Sequence, residues 1–279
     1  MKTKFQAAIL LSAAALAALA GCAADGTVGE SAESGKTEIT LGAWYYSSAE
    51  SWAPLVEKFN EENESYEIEI VSYVSSNEKT LRRDLEAGEA PDLLCIYGFG
   101  LIERAYLEDL TPYMEEVRES FIPAVLNGIE QNAPLKALPL LFEMDTQVYC
   151  GGETAAASTP LQGISRVWNL STLYGEDYDY IYGSEGNDID FTKTSFAITA
   201  DSGCKDGAWA FIEFALRDES QLALAGFSAF PVTQSAFDEL CAQALAGGIA
   251  GGWGFELAQS DIEKLSLLVD GTEEYLWCF

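Results

Sequence analysis

Three observations predict an α/β fold. From Thr37 onward short apolar strands alternate with amphipathic helices, the run Leu93-Leu94-Cys95-Ile96-Tyr97 is apolar throughout, and Gly88, Pro91, Gly98 and Gly100 punctuate the joins. The first strand carries Ile39, Leu41 and Ala43 in alternation with polar neighbours and runs into Trp44-Tyr45-Tyr46. Ser47 and Ser48 offer the cap of a first helix, on which Trp52, Leu55, Val56 and Phe59 fall at i, i+3, i+4 and i+7 and so share one face. Residues 60–65 break that helix, and Tyr66-Glu67-Ile68-Glu69-Ile70-Val71 supplies a second strand of period two. Residues 77–87 predict a second helix, with Leu81 and Leu85 inward and Gly88 at a left-handed terminus. Ala90-Pro91-Asp92 then turns into the apolar run, which suits a strand covered on both faces, and Gly98 and Gly100 mark the crest behind it. A third helix is expected to hold Leu101, Ile102, Ala105 and Leu107; Leu110-Thr111-Pro112-Tyr113 steps onward, and Ala137-Leu138-Pro139-Leu140-Leu141-Phe142 reads as another extended piece.

The 279 residues include 15 Lys and Arg against 45 Asp and Glu, with no histidine, for a formal net charge of −30. The acids are spread along the body, which predicts a solvated, self-repelling surface. This balance sets nucleic acid aside as a partner and disfavours anionic ligands. Without histidine the chain lacks the commonest metal ligand and the usual general base, so histidine-based hydrolytic triads and histidine–zinc sites are excluded. Beside Cys22 stand Cys95, Cys150, Cys204, Cys241 and Cys278, with no CxxC spacing, hence neither a zinc signature nor an obvious disulfide framework. Cys95 reads as a small buried hydrophobe, while pairing among the other four stays open. Asp177, Asp179, Glu185, Asn187, Asp188 and Asp190 form an oxygen-rich stretch that lacks EF-hand spacing and reads as a solvated loop rather than a calcium site. No cofactor is implied.

Lys2 and Lys4 open the chain, residues 7–20 carry no charge, and the run stops at Leu19-Ala20-Gly21-Cys22. At about 14 residues it is too short for a permanent bilayer span and has the make-up of a secretory leader. Leu-Ala-Gly-Cys resembles the lipobox of bacterial lipoproteins. The resemblance implies a signal peptide over residues 1–21 and lipidation of the Cys22 thiol, with palmitate among the acyl groups. Residues 22–36 are small or polar apart from Val28 and cannot bury enough surface to offset their ordering entropy. They predict a flexible tether holding the folded body at the outer face of the bacterial cytoplasmic membrane.

Several blocks in order carry a second resemblance. They are the strand ending in aromatics, Phe59-Asn60-Glu61-Glu62-Asn63, Ala87-Gly88-Glu89-Ala90-Pro91-Asp92-Leu93-Leu94, Tyr106-Leu107-Glu108-Asp109-Leu110-Thr111-Pro112-Tyr113 and Ala137-Leu138-Pro139. Later come Ser195-Phe196-Ala197-Ile198, Lys205-Asp206-Gly207-Ala208-Trp209-Ala210-Phe211-Ile212 and Phe230-Pro231-Val232. Together they resemble the extracellular solute-binding proteins, family 1, that serve ABC sugar importers. That implies a periplasmic-binding-protein-like two-lobe fold of type II, closing on a sugar held between the lobes, with an ABC transporter permease as membrane partner. Only about 50 residues separate Asp145 from Ser195, fewer than half of a typical ~100–150-residue domain. The second lobe is therefore expected to be truncated, with residues 151–159 as the join across a deletion. The expected division is 37–143 plus 196–232 for the first lobe and 144–195 plus 233–279 for the second.

Sugar recognition takes flat aromatic faces for the ring and polar groups for its hydroxyls. In open α/β sheets such groups gather at the carboxyl ends of strands. Trp44, Tyr45 and Tyr46 follow the first strand, and Tyr97 and Phe99 follow the third, so both sets are expected at the cleft; at most two of the first three can point the same way. Glu143 follows the extended piece where the chain should cross between lobes, and the matching acid in maltose-binding members of the family implies a sugar contact. Trp168 and Trp253 are the candidates from the second lobe, Trp253 because Gly251-Gly252-Trp253-Gly254 offers little local packing. Asp92 is expected to fix its turn rather than touch ligand.

The reading is a lipid-anchored protein that captures a sugar or oligosaccharide for an ABC transporter and is not an enzyme. The alternative is a truncated, non-transporting lipoprotein scaffold or interaction module. Paired carboxylates suffice for a glycosidase, but the resemblance points away from catalysis.

Overall fold

In the computed structural model, residues 35–279 are described except 45–48, 74–77, 97–101, 151–152, 155–160, 176–177, 182–186, 193, 227, 248–255 and 278–279. Alternation and helical periodicity place the first elements: β1 (Thr37–Trp44), α1 (Ala49–Glu62), β2 (Tyr66–Tyr73), α2 (Glu78–Ala87) and β3 (Leu93–Ile96). β1 runs parallel to both β2 and β3. Ile39, Leu41 and Ala43 meet Trp52, Leu55, Val56 and Phe59 of α1 in the main core, while Leu94 and Ile96 pack on the other face against Leu81 and Leu85 of α2. The strand covered on both faces is thus as its composition requires. Gly88 ends α2 with φ +69°, the left-handed terminus that glycine adopts without strain.

The outer edge of β2 is furnished by side chains. Ile68 N donates to Asn60 Oδ1 at 2.7 Å and Asn60 Nδ2 donates to Ile68 O at 3.0 Å; Asn63 Oδ1 accepts from Ser65 N and Tyr66 N at 2.9 and 2.8 Å. Asp92 is fixed as expected. Its carboxylate accepts from Thr40 N (3.0 Å), Thr40 Oγ1 (2.8 Å) and Ser202 Oγ (2.7 Å).

The third helix expected over Leu101–Leu107 does not form among the described residues, which hold only a single 3₁₀ turn over Arg104–Tyr106. The backbone is engaged elsewhere: Glu108 N donates to Ile198 O at 2.9 Å and Ala200 N to Tyr106 O at 2.8 Å, and Leu107 bridges Thr199. Its apolar side chains serve a strand-like path over the sheet, so the 3.6-residue spacing is coincidental. Beyond it come α3 (Met114–Val117) and α4 (Pro123–Gln131).

The extended piece 137–142 proves to be two strands in two sheets. β4 (Leu138–Pro139) closes the first sheet, and β5 (Leu141–Cys150) opens the second, with Leu140 alone between them. The remaining strands are β6 (Glu153–Thr154), β7 (Tyr178–Ile181), β8 (Asn187–Asp190), β9 (Ser195–Ile198), β10 (Phe230–Pro231) and β11 (Glu274–Leu276). The first sheet has the order β2-β1-β3-β9-β4 and the second β10-β5-β8-β11, with β6 and β7 also on β5. The strand that returns from the second sheet is thus inserted between β3 and β4, in keeping with a type II fold. Residues 141–143 and Phe230–Pro231, expected with the first lobe, lie in the second sheet. Apart from β5 the second sheet is built from strands of two to four residues, in keeping with an abbreviated second lobe.

Helices α5 (Gly163–Tyr174), α6 (Lys205–Ala215), α7 (Asp218–Ala225), α8 (Gln234–Leu245) and α9 (Gln259–Asp270) complete the described elements. α5 starts at Gly163, whose φ is +57° and whose missing Cβ would sit 2.8 Å from Ala229 O and closer still to Ala229 N, so the helix can approach that backbone only without a side chain. α9 is tied down by Asp261, 2% exposed, which accepts from Tyr178 Oη (2.6 Å), Ser171 Oγ (2.9 Å) and Ala258 N (2.9 Å). Tyr275 of β11 stacks on Phe191 at 6.0 Å, and its hydroxyl accepts from Asn127 Nδ2 at 3.1 Å. Burial pushes the Tyr275 phenol up, partly countered by that bond.

Cys204 and Cys241 are free thiols. Burial, with Asp238 nearby, pushes Cys241 up to about 12. No described helix is long and apolar enough to cross a membrane.

Candidate functional site

Strand register sets the site. Trp44 pairs Tyr73, Ala43 pairs Cys95, Ile96 pairs Ser195, and Ser195 pairs Pro139. The carboxyl ends of β1, β2, β3 and β4 therefore share one edge of the first sheet with the start of β9. The chain leaves for the second sheet from Pro139 and returns to Ser195 at this same edge. With one intervening residue, Pro139 and Leu141 lie at most about 7 Å apart, so the two sheets are adjacent here. Trp44, three strands from β4, stands about 14 Å along the edge at ~4.8 Å per strand.

The two crossings are clipped together. Leu140 N donates to Thr194 O at 2.9 Å, Ser195 Oγ donates to Phe191 O at 3.0 Å, and Thr192 N donates to Asp190 Oδ1 at 2.7 Å. Each bond satisfies a polar group of a segment that lies buried between the sheets.

In the second sheet the row nearest the crossings is Glu143 on β5, Asp190 on β8 and Leu276 on β11, in direct register. Phe142 and Met144 point into the core, where Phe142 meets Phe230 at 5.3 Å and Phe237 at 6.4 Å. By alternation Glu143 and Asp145 take the opposite face, and so do their register partners Asp190 and Asp188. Glu143 is 6% and Asp190 8% exposed. A buried acidic row is an acceptor surface. It can take hydrogen bonds from hydroxyl donors, and like charges in cross-strand register repel one another and any anion.

Of the residues singled out in the sequence, Trp44 closes β1 at this edge and Glu143 lies in the facing row. Trp168 sits half-buried on α5, packed against the core. Cys22, Tyr45, Tyr46, Tyr97, Phe99 and Trp253 lie outside the described residues. Sequence reading placed Asp190 in a solvated loop, whereas it is buried at the end of β8, and passed over the crossing clip. The period-two pattern Asp188-Ile189-Asp190 marks a strand with an acidic face, a signal that a loop reading of the stretch obscured. Asp179, Asp188 and Asp190 are spread over two strands, and no group of three acids, cysteines or histidines among the described residues could hold a metal.

No protein-family model matches the sequence, and neither does any curated protein. Solved structures do. A sugar transporter protein from Rhizobium etli in an open conformation aligns with a TM-score of 0.58 at 11% identity, over 87% of this chain and 89% of its own. An ABC substrate-binding protein from Listeria monocytogenes in complex with cycloalternan gives 0.55 at 13% identity, over 88% and 89%. The ABC transporter associated binding protein from B. animalis subsp. lactis in complex with β-1,6-galactobiose gives 0.53 at 13%, over 87% and 88%. Likeness at such identities speaks for architecture, and the chain has the periplasmic-binding-protein-like fold of these sugar-binding proteins.

Proposed function

We propose that this protein captures a sugar or oligosaccharide between its two sheets and presents it to an ABC transporter permease, without catalysing a reaction. The observation that carries this reading is the shared edge: the aromatic end of β1 and both crossings lie on one side of the first sheet, against a buried row of hydroxyl-accepting carboxylates in the second. In this reading the first sheet and its helices form one lobe and the second sheet another, and they close by bending at Leu140 and around Phe191 and Thr192. Trp44, Tyr45, Tyr46, Tyr97 and Phe99 supply stacking faces, and Glu143 and Asp190 accept from ligand hydroxyls. Trp253 is a further stacking candidate. Trp168, held against the core, contributes through packing. Lipidation at Cys22 anchors the body on the outer face of the membrane, with residues 22–36 as the tether.

The test is a titration of protein lacking residues 1–22 with a panel of neutral oligosaccharides, following tryptophan fluorescence and melting temperature together. A saturable change in both, lost in Trp44→Ala and Glu143→Ala, is the expected result. A cooperative melt indifferent to every sugar refutes the binding reading and leaves the scaffold alternative, in which the short second lobe no longer encloses a ligand.

A further inference from the structure

Helix α4 carries a notch, and a ring from near the end of the chain fills it. Gly128 lies buried inside the helix, a position where glycine is weaker than alanine. A Cβ there would lie 2.7 Å from Tyr275 Cε1, closer still to Tyr275 Cδ1, and 2.9 Å from Phe191 Cε2, so the two rings occupy the place of a side chain. The rings stack with 3° between their planes, Trp277 meets Phe191 at 4.7 Å, and Asn127 Nδ2 donates to the Tyr275 hydroxyl at 3.1 Å. Phe191 N donates to Leu276 O at 3.0 Å. The contact therefore grips one of the two crossings at the point where the proposed closure bends. We propose that it is a rear brace that resists closure and so sets how tightly sugar is held, an inference that rests on the proposed capture between the sheets.

Register puts the brace behind the site. Tyr275 pairs Ile189, which pairs Met144, and the three share the core face of the second sheet; Leu276, Asp190 and Glu143 share the other face. The ring thus stands across the sheet from the carboxylates assigned to ligand hydroxyls.

Helix α4 travels with the first sheet. Arg104, in the segment that runs over that sheet, donates to Asn132 Oδ1 (3.1 Å) and Pro134 O (2.6 Å) at the end of the helix, and Leu110 N donates to Leu135 O at 2.7 Å. The start of α4 lies beside the pivot, where Ile122 N donates to Val232 O at 3.0 Å just behind β10. A bend that carries Glu143 and Asp190 toward the first sheet accordingly draws Tyr275 out of the Gly128 notch. Contacts made only in the open form lower the fraction of closed protein, and the apparent affinity for ligand falls with that fraction.

Two substitutions act on the brace in opposite chemical ways and are expected to shift binding in the same direction. Gly128→Ala forces the rings out of the notch, and Tyr275→Ala removes the ring. In protein lacking residues 1–22, isothermal titration with mannotriose, β-1,6-galactobiose and cycloalternan is expected to show binding about fivefold tighter in each variant than in the parent. A contact that only holds the fold together would lower the melting temperature and leave affinity unchanged or weaker; that result in either folded variant overturns the proposal. Small-angle scattering of the ligand-free proteins separates this inference from the capture reading. If the parent binds none of the sugars, the capture reading fails, and the brace is judged by the radius of gyration: a smaller radius in both variants upholds it, and an unchanged or larger one overturns it. Asn127→Ala, which removes a single exposed hydrogen bond, replaces any variant without a cooperative melt and is held to the same direction in both measurements.

Discussion

Replacing Asp261 tests how the second sheet and its helices hold together. The carboxylate joins three elements, accepting from Tyr178 of β7, Ser171 of α5 and the backbone that enters α9. It is 2% exposed and Tyr178 is 1% exposed, so water cannot replace a lost partner. Asp261→Asn keeps the volume but turns one acceptor into a donor, which strands at least one of the three donors. Losing a hydrogen bond to a charged group costs about 1.5–3 kcal/mol, and an unpaired buried donor about 1–3 kcal/mol more. The expected loss is therefore about 3 kcal/mol or more, or at least about 6 °C at 2–4 °C per kcal/mol for a body of this size. Tyr178→Phe removes a single bond and keeps its ring under Lys264 Nζ, 4.1 Å from the centroid, so it isolates the hydroxyl. Urea unfolding of the two single variants and the double variant closes a cycle, with an expected coupling of about 1.5–3 kcal/mol. A coupling below about 0.5 kcal/mol, or an Asp261→Asn cost under about 1 kcal/mol, would refute the reasoning and show that the abbreviated part of the chain is held by other means.

Other outcomes follow from single positions. Gly163→Ala places a methyl group 2.8 Å from Ala229 O, and closer to Ala229 N, at a residue with φ +57°, so it is expected to cost more than the ~1–3 kcal/mol of ordinary overpacking, read as a lower urea midpoint at unchanged slope. Partial burial works against the ionised form of Asp109, but hydrogen bonds from Thr111 N (2.9 Å) and Oγ1 (2.6 Å) win, and its pKa lies below the usual 3.8. That stability is present above the unfolded value and is lost as pH falls through the lowered one. The gap between parent and Asp109→Asn should accordingly be constant at neutral pH and shrink in melts taken below 3.8. Cys241, buried and pushed up to about 12, is expected to react with a thiol reagent at mildly alkaline pH only as fast as the protein opens; rapid labelling of the native protein would contradict its burial.

The first sheet was legible because its signals are local. Ile39, Leu41 and Ala43 alternate, Trp52 to Phe59 repeat at helical spacing, and the apolar run from Leu93 can be satisfied only by a strand covered on both faces. Where tertiary pairing decides, local pattern misled. The spacing of Ile102, Ala105 and Leu107 suggests a helix, yet the backbone at Tyr106 and Glu108 is engaged by Ala200 and Ile198, and Leu138 to Phe142 form one apolar run although Leu140 parts two sheets. Nothing in periodicity says which sheet a strand joins. Within the candidate site, the place of Trp44 at the end of β1 was legible, whereas Glu143, expected just after an extended piece, lies inside β5. Asp190 acquires its meaning only from cross-strand register with Glu143, a relation between positions 47 apart in the chain.

The amides of Asn60 and Asn63 have a consequence for how this chain behaves in a crowd. β2 is the outermost strand of its sheet, and its bare peptide groups would invite a strand from another molecule to continue the ladder. Asn60 offers Ile68 a carbonyl and an N–H together, as a neighbouring peptide would, and Asn63 occupies the start of the same edge. The intruder finds those places taken. The segment Phe59–Asn63 thus guards against misassembly: what it preserves is the separateness of each molecule.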